Sequence, residues 1–259
     1  MNGISILARF ASELHCDAFG AGLRAHACAI AADLSGVIAA GMREPEMKRL
    51  ALSTAPRNGH GPCEVIGHEG RAAPADAAFL HGTAGTFLEL DEGNRFSRGH
   101  PGIHVFPAAL AAAQQRRASG AELLAALVAG YEIAARLGAA CEIRSVMHPH
   151  GTWGTVGAAV AVAKLRGANP PAIERTINIA STLGLATSIK TMRDGATVRN
   201  AFAGISGRMG FVANELADAG FTGEEDGLAS VYGEVAATGF RWERMLQGLG
   251  ERWEMQRNY

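Results

Sequence analysis

Apolar residues recur along most of this chain at the three- and four-residue spacing of a buried helix face. Residues 23–41, LRAHACAIAADLSGVIAAG, keep that spacing and stop at Gly41. The pattern returns over Pro74–Leu90, where Pro74 suits a first turn because the N–H it lacks would have no partner inside the helix. A further helix is predicted from Pro107 to about Arg117. Ser119 and Glu122 form a capping box, and Leu123, Leu124, Leu127, Val128 and Tyr131 then share one stripe. The run GTVGAAVAVAKLRG after Gly154 reads as helix, and Asn169-Pro170-Pro171 starts another that extends through Ser188. Two more are expected at about 196–218 and 240–254.

Between these helices, residues 55–73 are rich in Gly and Pro and read as an extended crossing, with one short strand at Cys63–Ile66. Gly93–Gly102 reads as a polar loop, His148–Gly154 as a loop or helix entry, and residues 221–235 as loop with one short turn. Neither an internal repeat nor a sustained alternating pattern is visible. The expected fold class is all-α, one multi-helix domain over residues 1–259.

Composition refines this without changing it. Hydrophobic residues make up 48% and charged residues 19%, an ordinary globular balance. With aromatics at 6% and 33 glycines, packing must come from close helix contacts. A net charge of −1 argues against a nucleic-acid surface, which needs a basic face. An anionic ligand must then be met by local cations. Cys16, Cys28, Cys63 and Cys141 form no CxxC pair or disulfide framework. The N-terminus lacks the pattern of a signal peptide, and the apolar run Val156–Ala163 is too short for a bilayer. The expectation is a cytoplasmic protein without a membrane partner.

Three polar clusters could carry chemistry. In LELDEGNRFSRGHPGIH, Glu89, Asp91 and Glu92 close a helix and His100 follows a basic loop. A carboxylate and an imidazole there would suit acid/base work; a solvated acidic helix end is the alternative. In MHPHGTWG, His148 and His150 precede a Gly/Ala helix whose N-terminal amides could take an anion; the glycines could equally serve packing alone. In SIKTMRDGATVRN, Lys190, Arg193 and Arg199 could neutralise a di- or tricarboxylate, or simply face water. A metal site is not expected: HPGIH lacks the glutamate of the HExxH pattern, and Pro101 interrupts the helix that would align His100 with His104.

These blocks, in this order, resemble the MmgE/PrpD family. The resemblance is carried by HACAIAADLSGVIAAG, FLHGTAGTFLELDEGNRFSRGHPG, HPHGTWGTVGAAVAVAKLRG and the run from Met192 to Gly227, and so covers essentially the whole chain. It implies a cofactor-independent lyase-type activity on a small polycarboxylic acid such as 2-methylcitrate. By position, the family's active-site aspartate falls on Glu89 and its two HP histidines on His100 and His148. His150 stands where the family often has Thr, Arg199 where it has a lysine, and Phe202 where it has a histidine. The resemblance implies His100 and His148 as the acid/base pair, with Glu89 orienting one imidazole. Arg199, Lys190 and His150 would bind substrate carboxylates. It also implies a homodimer. The family's α+β lid domain is not expected here, so the chain reads as truncated or as paired with a separate lid-domain chain. The alternative is a non-catalytic dimerisation module.

Overall fold

The helix caps read from the sequence set the frame of the structure. In the computed structural model, Ser119 accepts the Glu122 N–H while the Glu122 carboxylate accepts the Ser119 N–H, closing the capping box. Asn169 accepts the N–H of Ala172. Pro74 sits in the first turn of its helix. The structure describes residues 2–56 and 59–258. Met1, Arg57, Asn58 and Tyr259 lie outside the described residues, as do the part of the predicted 55–73 crossing that falls on two of them and both ends of the predicted domain.

The described chain is mostly helical, in the order α1 (Gly3–Glu13), α2 (Ala21–Gly41), α3 (Pro45–Thr54), β1 (Cys63–Glu64), β2 (Arg71–Ala72), α4 (Pro74–Thr86), α5 (Pro101–Arg116), α6 (Gly120–Ala140), β3 (Cys141–Ile143), α7 (Gly154–Leu165), α8 (Pro170–Ser181), α9 (Ile189–Arg193), α10 (Phe202–Asp218), α11 (Gly227–Ser230), β4 (Ala237–Phe240) and α12 (Trp242–Leu246). Two antiparallel ribbons interrupt the helices. β1 pairs with β2 in the register Cys63–Ala72, and β3 pairs with β4 in the register Cys141–Phe240 with one irregularity.

The core is built on α7, in which every residue except Lys164 is buried. It packs against α5, α6, α8 and α10. A chain poor in large rings must bring its helix backbones close together, and glycine makes this possible. A Cβ at Gly130 would lie 2.5 Å from the Gly157 carbonyl oxygen, and one at Gly157 would lie 2.6 Å from that of Gly130. α2 and α6 are long and apolar enough to cross a membrane by length and composition. α6 is nevertheless enclosed by the core, whereas α2 lies at the surface with Arg24 and Asp33 exposed.

Several predicted boundaries move, each for a local reason. α5 begins at Pro101 and not at Pro107, because Pro101 takes the first-turn position and Pro107 is carried inside the helix. α4 stops at Thr86, so Glu89 and Glu92 do not share a helix face. α8 ends at Ser181, and the next stretch is extended and bonds across to the loop before α7: Leu185 N–H donates to Gly151 O and His148 N–H to Thr187 O. The helix expected at 240–254 is reduced to the five residues of α12. Residues 237–240 are drawn into a strand, and the buried Arg136 side chain takes the carbonyls of Met245, Gln247, Gly248 and Arg252.

Candidate active site

Two segments bring four imidazoles together. His100 caps the N-terminus of α5 and His104 lies one turn later on the same face. His148 and His150 come from the loop that enters α7. The His150 ring lies 4.7 Å from that of His100, 5.0 Å from that of His104 and 4.9 Å from that of His148, edge to face each time. Gly154 makes room for this arrangement: a Cβ there would fall 2.3 Å from the His104 ring. Thr187 pins the loop, its hydroxyl lying 2.6 and 2.9 Å from the carbonyls of His148 and His150.

Hydrogen bonding distinguishes the four rings. His104 Nδ1 donates to the His100 carbonyl at 2.8 Å and its Nε2 accepts the Gly151 N–H at 3.2 Å, which fixes a neutral tautomer. Burial pushes its pKa down to about 4. His148 Nδ1 accepts the His150 N–H at 3.1 Å, so its proton sits on Nε2. Burial, then the charge of His100, lowers its pKa. His150 is fully enclosed, its Nδ1 has no partner among the described residues, and burial with three imidazole neighbours holds its pKa well below the ordinary value.

His100 differs from the other three. Its side chain is 26% exposed, and Nδ1 lies 3.1 Å from Asp91 Oδ2, off the line of the ring N–H, as an ion pair more than a directional bond. Burial by itself would lower the His100 pKa, but the contact with Asp91 and its charge outweigh burial and raise it. Glu92 is buried against α5, accepting the Gly102 N–H and, at 3.4 Å, the Tyr131 hydroxyl. Burial pushes its pKa up to about 8, so it holds its proton at neutral pH.

The remaining candidates from the sequence are placed differently. Glu89 pairs with Arg199, and the carboxylate beside an imidazole is that of Asp91. Arg199 is 6% exposed, with a buried Nε that has no partner among the described residues. It lies in a 3-10 turn, Thr197–Ala201, docked on the end of α4 by the Thr86 hydroxyl donating to Asn200 O. Phe202 follows it, its ring 6.3 Å from that of His148. Lys190 lies out at the surface, paired with Asp194. Thus His100, His148 and His150 come together, Glu89 and Arg199 form a second pair, and Lys190 stays apart. His104, Asp91 and Glu92 are the additions. The acidic run had already shown both carboxylates without choosing between them, and the four-residue spacing of His104 from His100 becomes meaningful only once α5 starts at Pro101.

Among the described residues no group of three or more His, Cys, Asp or Glu side chains is arranged to hold a metal ion. A cavity of about 440 Å³ beside Lys164 and another of about 540 Å³ beside Arg166 include none of the clustered histidines.

Over residues 5–243 the sequence matches the MmgE/PrpD N-terminal domain. The chain belongs to the MmgE/PrpD family. Its relatives include cis-aconitate decarboxylase of Aspergillus terreus, 26% identical over 240 residues that cover 85% of this chain and 49% of that protein. A second is the cis-aconitate decarboxylase-like protein oryM of Aspergillus oryzae, 28% identical over 215 residues, covering 75% of this chain and 44% of that protein. This MmgE/PrpD chain therefore spans about half the length of the curated relatives it matches. In it, the imidazole cluster comes from the two HP blocks, and the Glu89–Arg199 pair joins the acidic block to the run that starts at Met192.

Proposed function

We propose that this chain is the polycarboxylate-binding, proton-transferring part of a cofactor-independent lyase, with cis-aconitate or 2-methylcitrate as the class of substrate. The carrying observation is the packing of four imidazoles in which His148 keeps its proton on Nε2 and His100 lies beside the buried Asp91 carboxylate. Loss of carbon dioxide leaves an electron pair on a carbon next to a remaining carboxylate, and a proton must then be delivered to that carbon framework. Loss of water needs a base for the C–H and an acid for the hydroxyl. In either case His100 and His148 are the acid/base pair. Arg199, fixed in charge and able to bind in a two-pronged way, holds a substrate carboxylate. Glu89 pairs with Arg199 until substrate arrives, His150 packs among the other three imidazoles beneath the acid/base pair, and Lys190 attracts the anion from the surface. Names of relatives that decarboxylate cis-aconitate support the substrate class.

Because the chain spans half of those relatives, a second body supplies the remaining walls, either a further segment or a separate lid-domain chain. A homodimer through the helical domain, no cofactor, no nucleic-acid or membrane partner and a cytoplasmic location complete the reading. The test is turnover of cis-aconitate and 2-methylcitrate by the chain alone and together with the C-terminal half of a relative. Conversion that is lost in His148→Gln supports it. No conversion in any combination, with citrate binding unchanged in His148→Gln, would sink it.

A second reading, a non-catalytic dimerisation module, is favoured by one observation: the Arg199 guanidinium is already matched by Glu89. A monomer by light scattering would count against it.

A further inference from the structure

We infer that Asp91 is a positioning residue: its carboxylate fixes the His100 ring at the mouth of the imidazole cluster and keeps it as the cation of the site, which leaves His148 as the neutral imidazole. This deepens the reading proposed above and rests on it for the reaction served, but not for the pairing.

The geometry singles out Asp91 among three neighbouring carboxylates. Glu89 is taken by Arg199, and Glu92 by the Gly102 N–H and the Tyr131 hydroxyl. Asp91 has a side chain with no exposure, and both its oxygens are buried without a hydrogen bond among the described residues. A carboxyl group taken out of water and left with one polar neighbour depends on that neighbour. Here the neighbour is His100 Nδ1, at 3.1 Å.

The loop carrying both residues is fixed before any ligand arrives. Asn94 and Gly99 exchange two backbone bonds of 2.8 and 3.3 Å. The Asn94 side chain accepts the N–H groups of Phe96 and Ser97 and donates to Glu254 O. The separation of Asp91 from His100 is therefore built into the fold and does not rely on a flexible side chain reaching across.

The groups facing His100 are Asp91 and Glu92 from its own loop, His104 from α5, and His148 and His150 from the loop before α7. Both nitrogens of His104 are committed to the backbone, as is Nδ1 of His148. Among the four imidazoles, His100 alone has a carboxylate partner and a solvent-facing edge. One charged and one neutral imidazole is the division of roles that acid/base chemistry requires.

NMR titration of the histidine rings in the purified chain tests this without substrate, comparing wild type, Asp91→Asn and Asp91→Glu. The expected result is a His100 pKa in Asp91→Asn lower by at least about one unit, a tenfold loss of proton affinity, with recovery of most of it in Asp91→Glu. With cis-aconitate as substrate, kcat in Asp91→Asn falls and its alkaline limb moves down in pH while KM changes little. An unchanged His100 titration in folded Asp91→Asn overturns the inference. Should that variant fail to fold, the wild-type His100 Nδ1–H signal decides: protection from solvent exchange supports the pairing, and rapid exchange overturns it. If wild type converts no acid, alone or together with the C-terminal half of a relative, the proposed function falls, and the titration still answers for Asp91.

Discussion

Arg199 and Glu89 form an ion pair across 110 residues of sequence, joining the turn before α10 to the segment that follows α4. The pair is asymmetric: the Arg199 side chain is 7% exposed and that of Glu89 56%. Glu89 also holds a left-handed backbone conformation, φ 55°, which costs a non-glycine residue on the order of 1 kcal/mol. The buried cation stays in place, then, and the exposed carboxylate is the member that an incoming substrate carboxylate can replace. Glu89→Gln is expected to tighten citrate binding, and Arg199→Gln to weaken it at least about tenfold, the loss expected for a charge-assisted hydrogen bond. Calorimetric titration checks both, and equal affinities across the three proteins would remove Arg199 from the binding site.

The buried titratable groups set the pH at which the fold is most stable. Below 6.5 the unfolded chain protonates His81 and His104, whereas burial keeps both neutral in the fold until about 4. Stability therefore falls as pH drops through that interval, and His148 and His150 act in the same direction. Glu92 works the other way: the unfolded chain releases its proton near 4.5 and the folded chain keeps it to about 8, so its contribution falls as pH rises between those values. Buried Glu132 acts in the same direction as Glu92, but the four histidines outnumber these two carboxyls on the acid side, which puts maximal stability at about pH 6.5. Urea midpoints measured across this range should peak there. Glu92→Gln should make the alkaline side shallower, leaving the protons that the fold holds on Glu132 and His100.

Close approach of α6 and α7 gives a prediction that involves no charge. A methyl group at residue 157 would meet Gly130 O at 2.6 Å and the Ala134 Cβ at 2.7 Å, contacts that backbone and a core methyl cannot relax away from cheaply. Gly157→Ala is expected to destabilise the fold by about 1–3 kcal/mol through overpacking, although alanine is the better helix former. Gly36→Ala, on the outer face of α2 with nothing within 4 Å, should stabilise or leave stability unchanged. Chemical denaturation of the two variants separates packing from propensity.

Much of the fold was legible because local rules and tertiary structure agree. Ser119 with Glu122, Asn169 with Pro170, and Pro74 each mark a helix start that no distant contact overrides. The expectation failed where a residue serves a partner far away in sequence. Residues 237–240 look like the approach to a helix until β3 is beside them, and nothing near Arg136 indicates that its guanidinium will hold carbonyls more than a hundred residues onward. In the candidate site, His100, His148 and His150 could be named from the HP blocks. Asp91 could not be told from Glu89 and Glu92, because the difference lies in which carboxyl the loop turns inward.

The relationship between the C-terminal tail and the site yields the last prediction. Arg136, 1% exposed, pairs with buried Glu132 and donates to four tail carbonyls, while Glu132 accepts the Met255 N–H. Farther along the tail, Glu254 O takes the Asn94 side chain, and the Arg257 guanidinium sits 3.5 Å over the Phe96 ring. The tail thus clasps the loop that ends at His100. Removing one member of a buried pair leaves the other charge uncompensated, so Arg136→Met should cost about 3–5 kcal/mol or release the tail. Hydrogen exchange distinguishes these outcomes: release exposes the amides of residues 242–258 first and those of 94–99 next, whereas uniform loss of protection means global destabilisation. If the first pattern appears, the His100 titration should broaden and shift towards the ordinary histidine value, because the loop that sets its distance from Asp91 has lost its outer support.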